Sequence, residues 1–147
     1  MAINHRPKVG ELLECDFGQW TEPETVNGHI PPEMIKRRLV VVLNGDIDGR
    51  SVIVAPISST KAYGRLATFH EYLSPDLIQE TNFYEKRDRW VKTEHLRCVS
   101  TKRLHYIFNN GQKLNQRLPN DVVTAIQKKV LIAVSGKRIL DGLNTKE

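Results

Sequence analysis

The stretch Arg38-Leu39-Val40-Val41-Val42-Leu43-Asn44-Gly45-Asp46-Ile47-Asp48-Gly49-Arg50-Ser51-Val52-Ile53-Val54-Ala55-Pro56-Ile57-Ser58 decides the fold. Two β-branched runs flank a connection rich in Gly and Asp, which predicts an antiparallel hairpin. With the turn centred near Ile47 and Asp48, Arg38 lies opposite Ser58, so a guanidinium and a hydroxyl share one end of a rigid sheet. Arg offers a planar donor fork matched to phosphate oxygens and Ser a short rotatable donor, a pair that can hold a phosphodiester. The alternative is an ordinary hairpin flanked by solvated polar residues.

Working outward, Glu11-Leu12-Leu13-Glu14-Cys15-Asp16-Phe17 alternates as a first strand with Leu13, Cys15 and Phe17 inward. Residues 18–36 form a long connection containing Pro31 and Pro32, unsuited to a central strand. Lys61-Ala62-Tyr63-Gly64-Arg65 reads as a basic loop, and Thr68-Phe69-His70-Glu71-Tyr72-Leu73 as another strand. Further strands are expected over Arg89 to Glu94 and Leu96 to Ser100, and a small hairpin around Asn109-Asn110-Gly111. Val122, Val123, Ile126, Val130, Ala133 and Val134 recur at helical spacing, with Asn120 as N-cap and Gly136 as C-cap. The expected architecture is α+β: a strongly bent antiparallel sheet or small barrel with a C-terminal helix. It forms one domain over residues 1–147, with a polar tail at 139–147.

The chain has 147 residues, 39% hydrophobic and 27% charged, ordinary for a soluble globular domain. A net charge of +5 favours an anionic partner, nucleic acid foremost. The N-terminus has no apolar core of the kind a secretory signal needs and no segment is long and apolar enough to span a membrane, so a cytoplasmic location without membrane contact is expected. Cys15 and Cys98 lack CxxC spacing and are read as reduced, partly buried thiols; no metal site is expected. Asp46-Ile47-Asp48-Gly49 resembles the start of a calcium loop, but the later ligands are missing, so it reads as a turn.

These segments resemble, in order, the blocks of the PemK/MazF family of toxin endoribonucleases. Lys36-Arg37-Arg38-Leu39-Val40-Val41-Val42-Leu43-Asn44 is similar to the Arg-Pro-hydrophobic strand motif, with Arg38 at the family arginine. Val54-Ala55-Pro56-Ile57-Ser58-Ser59 resembles the Val-x-Pro-x-Thr-Ser/Thr motif, with Ser58 at the threonine. Trp90 to Ser100 is similar to a third block with a basic residue, a spacer and an acid, here Lys92 and Glu94, and Lys8 to Phe17 fits the first strand. The resemblance is strongest over residues 8–135. Leu39 stands where proline is common, Ser58 keeps the hydroxyl of threonine without its methyl, and Lys92 replaces an arginine seen in some members.

The resemblance implies a barrel-like sheet of the SH3-like, CcdB/MazF type, usually a homodimer, that cleaves single-stranded RNA with no metal or other cofactor. A cognate antitoxin, acidic and partly disordered, would neutralise it and bind DNA with it. RNA supplies its own nucleophile, the 2′-hydroxyl, and the products would be a cyclic phosphate and a free 5′-hydroxyl. Arg38 is expected as the phosphate clamp, Ser58 as a hydrogen-bond donor to the same phosphate, Glu94 as the base, and Lys92 or Arg38 as electrostatic help at the leaving oxygen. Lys92 and Glu94 are expected to share a sheet face through period-two spacing. His29 and His95 are rival proton carriers, and with Arg37, Ser59, Lys61 and the base-stacking candidate Trp20 they complete the expected substrate contacts. A silent nucleic-acid-binding module and a CcdB-like gyrase-targeting toxin are the alternatives.

Overall fold

The computed structural model describes residues 2–19 and 34–144. Trp20 and His29 lie outside the described residues. Seven strands form one antiparallel sheet: β1 (Leu12–Asp16), β2 (Arg37–Asn44), β3 (Ser51–Ser58), β4 (His70–Leu73), β5 (Arg89–Lys92), β6 (Arg97–Ser100) and β7 (Leu104–His105). A separate hairpin, β8 (Phe108–Asn109) and β9 (Gln112–Lys113), precedes the helices α1 (Asn120–Ala133) and α2 (Lys137–Asn144).

The central hairpin forms in the expected register. Val40 pairs with Pro56 and Val42 with Val54, and a bulge between Val42 and Asn44 feeds the turn. In that turn Asp48 Oδ1 accepts from the backbone N–H of Arg50 and of Ser51, both at 2.8 Å, which holds its carboxyl below the usual range. β3 carries two partners on its other edge, β6 along its first half and β5 at its end.

The sheet is curled because the chain cannot connect it otherwise. In the order β6-β3-β2-β1-β7 a flat sheet would hold β6 and β7 four spacings apart, about 19 Å. A single 3-10 turn, Thr101–Arg103, joins them; at about 2 Å rise per residue it spans under half of that. No β6–β7 ladder closes the ring among the described residues, so the expected small barrel is an open, strongly bent sheet.

Curling gives the middle strands two buried faces. Val40, Val42, Val52, Val54, Val99 and Leu104 pack inside the curl with Leu13, Cys15 and Phe17. Leu39, Val41, Ala55 and Ile57 face the other way, onto Leu73, Val91 and the α1 residues Val123 and Ile126. The unbroken apolar runs in β2 and β3 are thus what a strand covered on both sides requires.

Several boundaries differ from expectation. The strand expected from Thr68 begins only at His70, because Gly64 (φ 70°) opens a 3-10 turn over Gly64–Phe69 and Thr68 Oγ1 donates back to the Arg65 carbonyl. The N-cap of α1 is Pro119, placing Asn120 inside the helix. The C-cap is Val134, which is exposed, and the left-handed position falls on Ser135 (φ 62°) rather than Gly136. Ser135 N–H donates to the Ile132 carbonyl and Gly136 N–H to that of Leu131, a Schellman closure. Beyond it the expected polar tail continues as α2.

The β8–β9 hairpin turns through Asn110 (φ 51°) and Gly111 (φ 78°), as its sequence predicts. Cys15 is buried, but Cys98 is exposed instead of partly buried. At the far end of the β1–β2 ladder, Phe17 N–H donates to the Lys36 carbonyl at 2.9 Å and Lys36 N–H to that of Gly18 at 2.6 Å. That pair of bonds holds Gly18 and Lys36 together in left-handed conformations.

Candidate active site

The last two residues of register beyond Val40–Pro56 carry Arg38 and Ser58 to the same end of the hairpin. Both line one open cavity of about 620 Å³. Its other walls come from Met34 before β2, from Arg37 and Leu39 on β2, from Ile57, Ser59 and Thr60 at the end of β3, from Arg89 and Lys92 on β5, and from Phe83, Tyr84, Glu85 and Arg87 in the segment leading into β5. Five of the lining residues are basic and one, Glu85, is acidic.

Each group is positioned by a local interaction. Arg38 is exposed and its Nε donates to the Ile35 carbonyl at 3.0 Å, fixing the base of the guanidinium. Ser58 is half-buried and its Oγ accepts from Thr60 N–H at 3.0 Å, so its own hydroxyl hydrogen points away from the turn it caps. Arg37 makes a 3.5 Å contact with Glu14. Glu14 in turn accepts the Tyr84 hydroxyl hydrogen at 2.8 Å, which ties the far wall to β1; burial, and then the Glu14 charge, push the Tyr84 pKa up.

Arg89 is the buried cation of the site. Its guanidinium lies over the Tyr84 ring at 5.5 Å and donates to the Glu85 carbonyl at 2.9 Å. Burial disfavours its charge and pulls its pKa below the ordinary range, with Arg87 adding to the effect. An anion entering the cavity relieves this crowding of positive charge, so the arrangement suits a phosphate.

Five of the residues named from sequence, Arg37, Arg38, Ser58, Ser59 and Lys92, meet here. Glu94, His95 and Lys61 are not in the lining. Glu94 fails to share a face with Lys92 because β5 ends at Lys92 and Thr93–His95 is a 3-10 turn. Its carboxylate instead contacts His70 Nε2 at 2.7 and 3.0 Å, and His70 is buried. His95 is half-buried, and burial lowers its pKa, partly offset by Glu94. Lys61 is exposed with its ammonium 5.7 Å from the Tyr63 ring centre.

Sequence reasoning missed the wall formed by Phe83, Tyr84, Glu85, Arg87 and Arg89. Its signal was aromatic residues interleaved with basic ones immediately before a strand. Among the described residues no group of three or more His, Cys, Asp or Glu gathers to hold a metal ion, and no helix is long and apolar enough to cross a membrane.

A curled antiparallel sheet backed by a C-terminal helix, with a cationic cavity at the end of its central hairpin, defines a small α+β protein shaped to receive an anion. The model of the PemK-like, MazF-like toxins of type II toxin–antitoxin systems matches residues 8–134, and the chain belongs to that family. It is 49% identical over 138 residues to an uncharacterized protein of Haemophilus influenzae, covering 93% of this chain and 96% of that one. It is 38% identical over 149 residues to the uncharacterized protein YifN of Escherichia coli, covering 96% of this chain and 100% of that one. An endoribonuclease from mycobacterial species superposes with a TM-score of 0.53 at 8% identity, over 89% of this chain and 93% of that one. A mycobacterial endoribonuclease in complex with its cognate antitoxin gives 0.52 at 8% identity, over 88% and 95%. At that identity the likeness is one of fold.

Proposed function

We propose that the protein is an endoribonuclease toxin that cleaves single-stranded RNA through attack of the 2′-hydroxyl on the adjacent phosphorus, leaving 2′,3′-cyclic phosphate and 5′-hydroxyl ends. The observation that carries this reading is that Arg38 and Ser58, from neighbouring strands, line one cavity crowded with positive charge. Arg38 grips two oxygens of the scissile phosphate and Ser58 donates its hydroxyl to the same group. Arg37 and Lys92 stabilise the charge that builds on the phosphorus oxygens and the leaving oxygen, which takes its proton from water as it departs to give the 5′-hydroxyl. Ser59 lies beside the entering strand.

The carboxylate in the cavity is Glu85, so Glu85 removes the 2′-hydroxyl proton. Glu94, the base expected from sequence, is a positioning residue in this reading: bound to His70, it fixes the turn that ends the Lys92 strand. His95 and Lys61 would contact the substrate outside the cavity. The charge needed by the reaction is supplied by protein cations, so cleavage proceeds without a metal. The protein acts in the cytoplasm as a single-domain subunit of a homodimer. Its antitoxin is an acidic, partly disordered segment that occupies the same basic cavity; family membership and the antitoxin-bound fold neighbour support such a partner.

The test is incubation of purified protein with a mixed RNA pool in chelator-containing buffer, followed by end mapping. New 5′-hydroxyl ends at recurrent positions are expected. Intact RNA with well-folded protein overturns the reading, and gyrase inhibition without RNA cleavage replaces it.

A further inference from the structure

We propose that Phe83 is a stacking platform for a nucleobase next to the phosphate held by Arg38 and Ser58. This deepens the nuclease reading and rests on it. Phe83 lies on the wall of the Arg38–Ser58 cavity, yet it is 80% exposed. The ring offers apolar area at the edge of a polar cavity that a stacked base would remove from water.

The backbone that carries the ring is pinned by a closed turn. Thr81 Oγ1 accepts from the Phe83 and Tyr84 N–H groups at 3.1 and 2.8 Å, and Thr81 N–H donates to the Tyr84 carbonyl at 2.9 Å. Phe83 meets Tyr84 edge to face, with ring centres 4.9 Å apart, and Tyr84 is anchored on Glu14. An open aromatic face on a pinned backbone therefore stands beside a cationic cleft, and a base can stack on it with little ordering of the main chain.

The surroundings select nucleic acid over an apolar protein segment. The cavity residues near Phe83 in sequence are Tyr84, Glu85, Arg87 and Arg89; other exposed apolar side chains are spread over the fold, Tyr72 and Phe108 as well as Val134, Ile139 and Leu143. An aromatic face among arginines is the combination that grips a base and its phosphates together. Because every base has a π-face, this subsite supplies affinity and register, leaving base identity to other contacts.

The experiment uses a short 2′-O-methyl RNA carrying 2-aminopurine, which lacks the attacking hydroxyl and stays intact. Its fluorescence is quenched by stacking. Wild-type protein and Phe83→Trp are expected to quench it; Phe83→Leu, with an unchanged melting temperature, is expected to bind at least about fivefold more weakly and without quenching. On unmodified RNA, Phe83→Leu is expected to raise KM more than it lowers kcat.

Cleavage by wild type together with unaltered binding, quenching and KM in Phe83→Leu overturns the stacking role and leaves the nuclease reading standing. Weaker binding of Phe83→Leu to the antitoxin alone, with RNA quenching intact, also overturns it and assigns the ring to a protein partner. Failure of the wild type to bind or cleave RNA removes both readings.

Discussion

Val40 lies directly opposite Pro56, and this register pair determines the chemistry at the end of the hairpin. Shifting one strand by a single residue would turn Arg38 away from Ser58 and move every buried valine to the opposite face. Burial of Val40, Val42 and Val54 inside the curl, and of Val41, Ala55 and Ile57 against the helix side, makes such a slip prohibitive. The core itself therefore aligns the site.

Arg38→Ala should reduce RNA cleavage by about 10² to 10³, the usual effect of losing a charge-stabilising donor. The side chain is exposed, so the melting temperature should hold. Ser58→Thr should remain active, and Ser58→Ala should lose activity and also the Thr60 turn contact. Cleavage rates and melting curves on the same preparations check all three; an active Arg38→Ala protein would refute the clamp.

Glu85→Gln and Glu94→Gln should separate. Glu85 is a surface carboxylate in the cavity, and its loss should slow cleavage by about 10² to 10⁴ with little change in stability. Glu94 pairs with buried His70, so its loss should cost about 1 to 3 kcal/mol of stability. Its kcat should fall less. The opposite pattern in single-turnover rates and urea titrations would return the base to Glu94.

Cys15 makes alkaline stability measurable. Burial pushes its thiol up to about 12 from an ordinary 9.0, with Arg103 and Arg97 opposing the shift. A raised folded pKa means the unfolded chain releases its proton first, so the Cys15 contribution is complete below about pH 9 and declines as pH rises toward 12. Urea midpoints should fall across that window, less so in Cys15→Ala. A thiol reagent should modify Cys98 in the native protein and both cysteines after unfolding; two reactive native thiols would contradict the buried assignment.

Gly45→Ala should destabilise the protein by about 1 to 3 kcal/mol. A Cβ at Gly45 would come within 2.0 Å of the Pro7 carbonyl oxygen, so the N-terminal segment would have to move off the hairpin. Gly111→Ala meets nothing within 4 Å and serves as the comparison, although its positive φ adds its own strain. A urea midpoint for Gly45→Ala equal to that of the wild type would mean the Pro7 segment yields freely.

The hairpin, its register and the helix were legible because each depends on a short-range pattern: two β-branched runs about a Gly/Asp turn, and apolar residues at helical spacing. Arg38 and Ser58 followed from that register. The Phe83 to Arg89 wall was not legible, since it reaches the cavity through the Tyr84–Glu14 hydrogen bond, between residues 70 positions apart. Glu94 was misplaced for a local reason: one 3-10 turn after Lys92 breaks the period-two alternation on which the pairing with Lys92 rested. Curling of the sheet could be anticipated, but whether the ring closes depends on a ladder between β6 and β7 that no local pattern encodes.

The two backbone bonds linking Phe17 and Gly18 to Lys36 seal the strand pair at the point where the chain departs and returns. Just inside the second anchor, Met34 packs on the valine core and the Ile35 carbonyl holds Arg38 Nε, so these two residues belong to the sheet rather than to the excursion. A cassette exchanged at this junction should therefore keep Met34 and Ile35, with thermal stability as the control that the graft has been accepted.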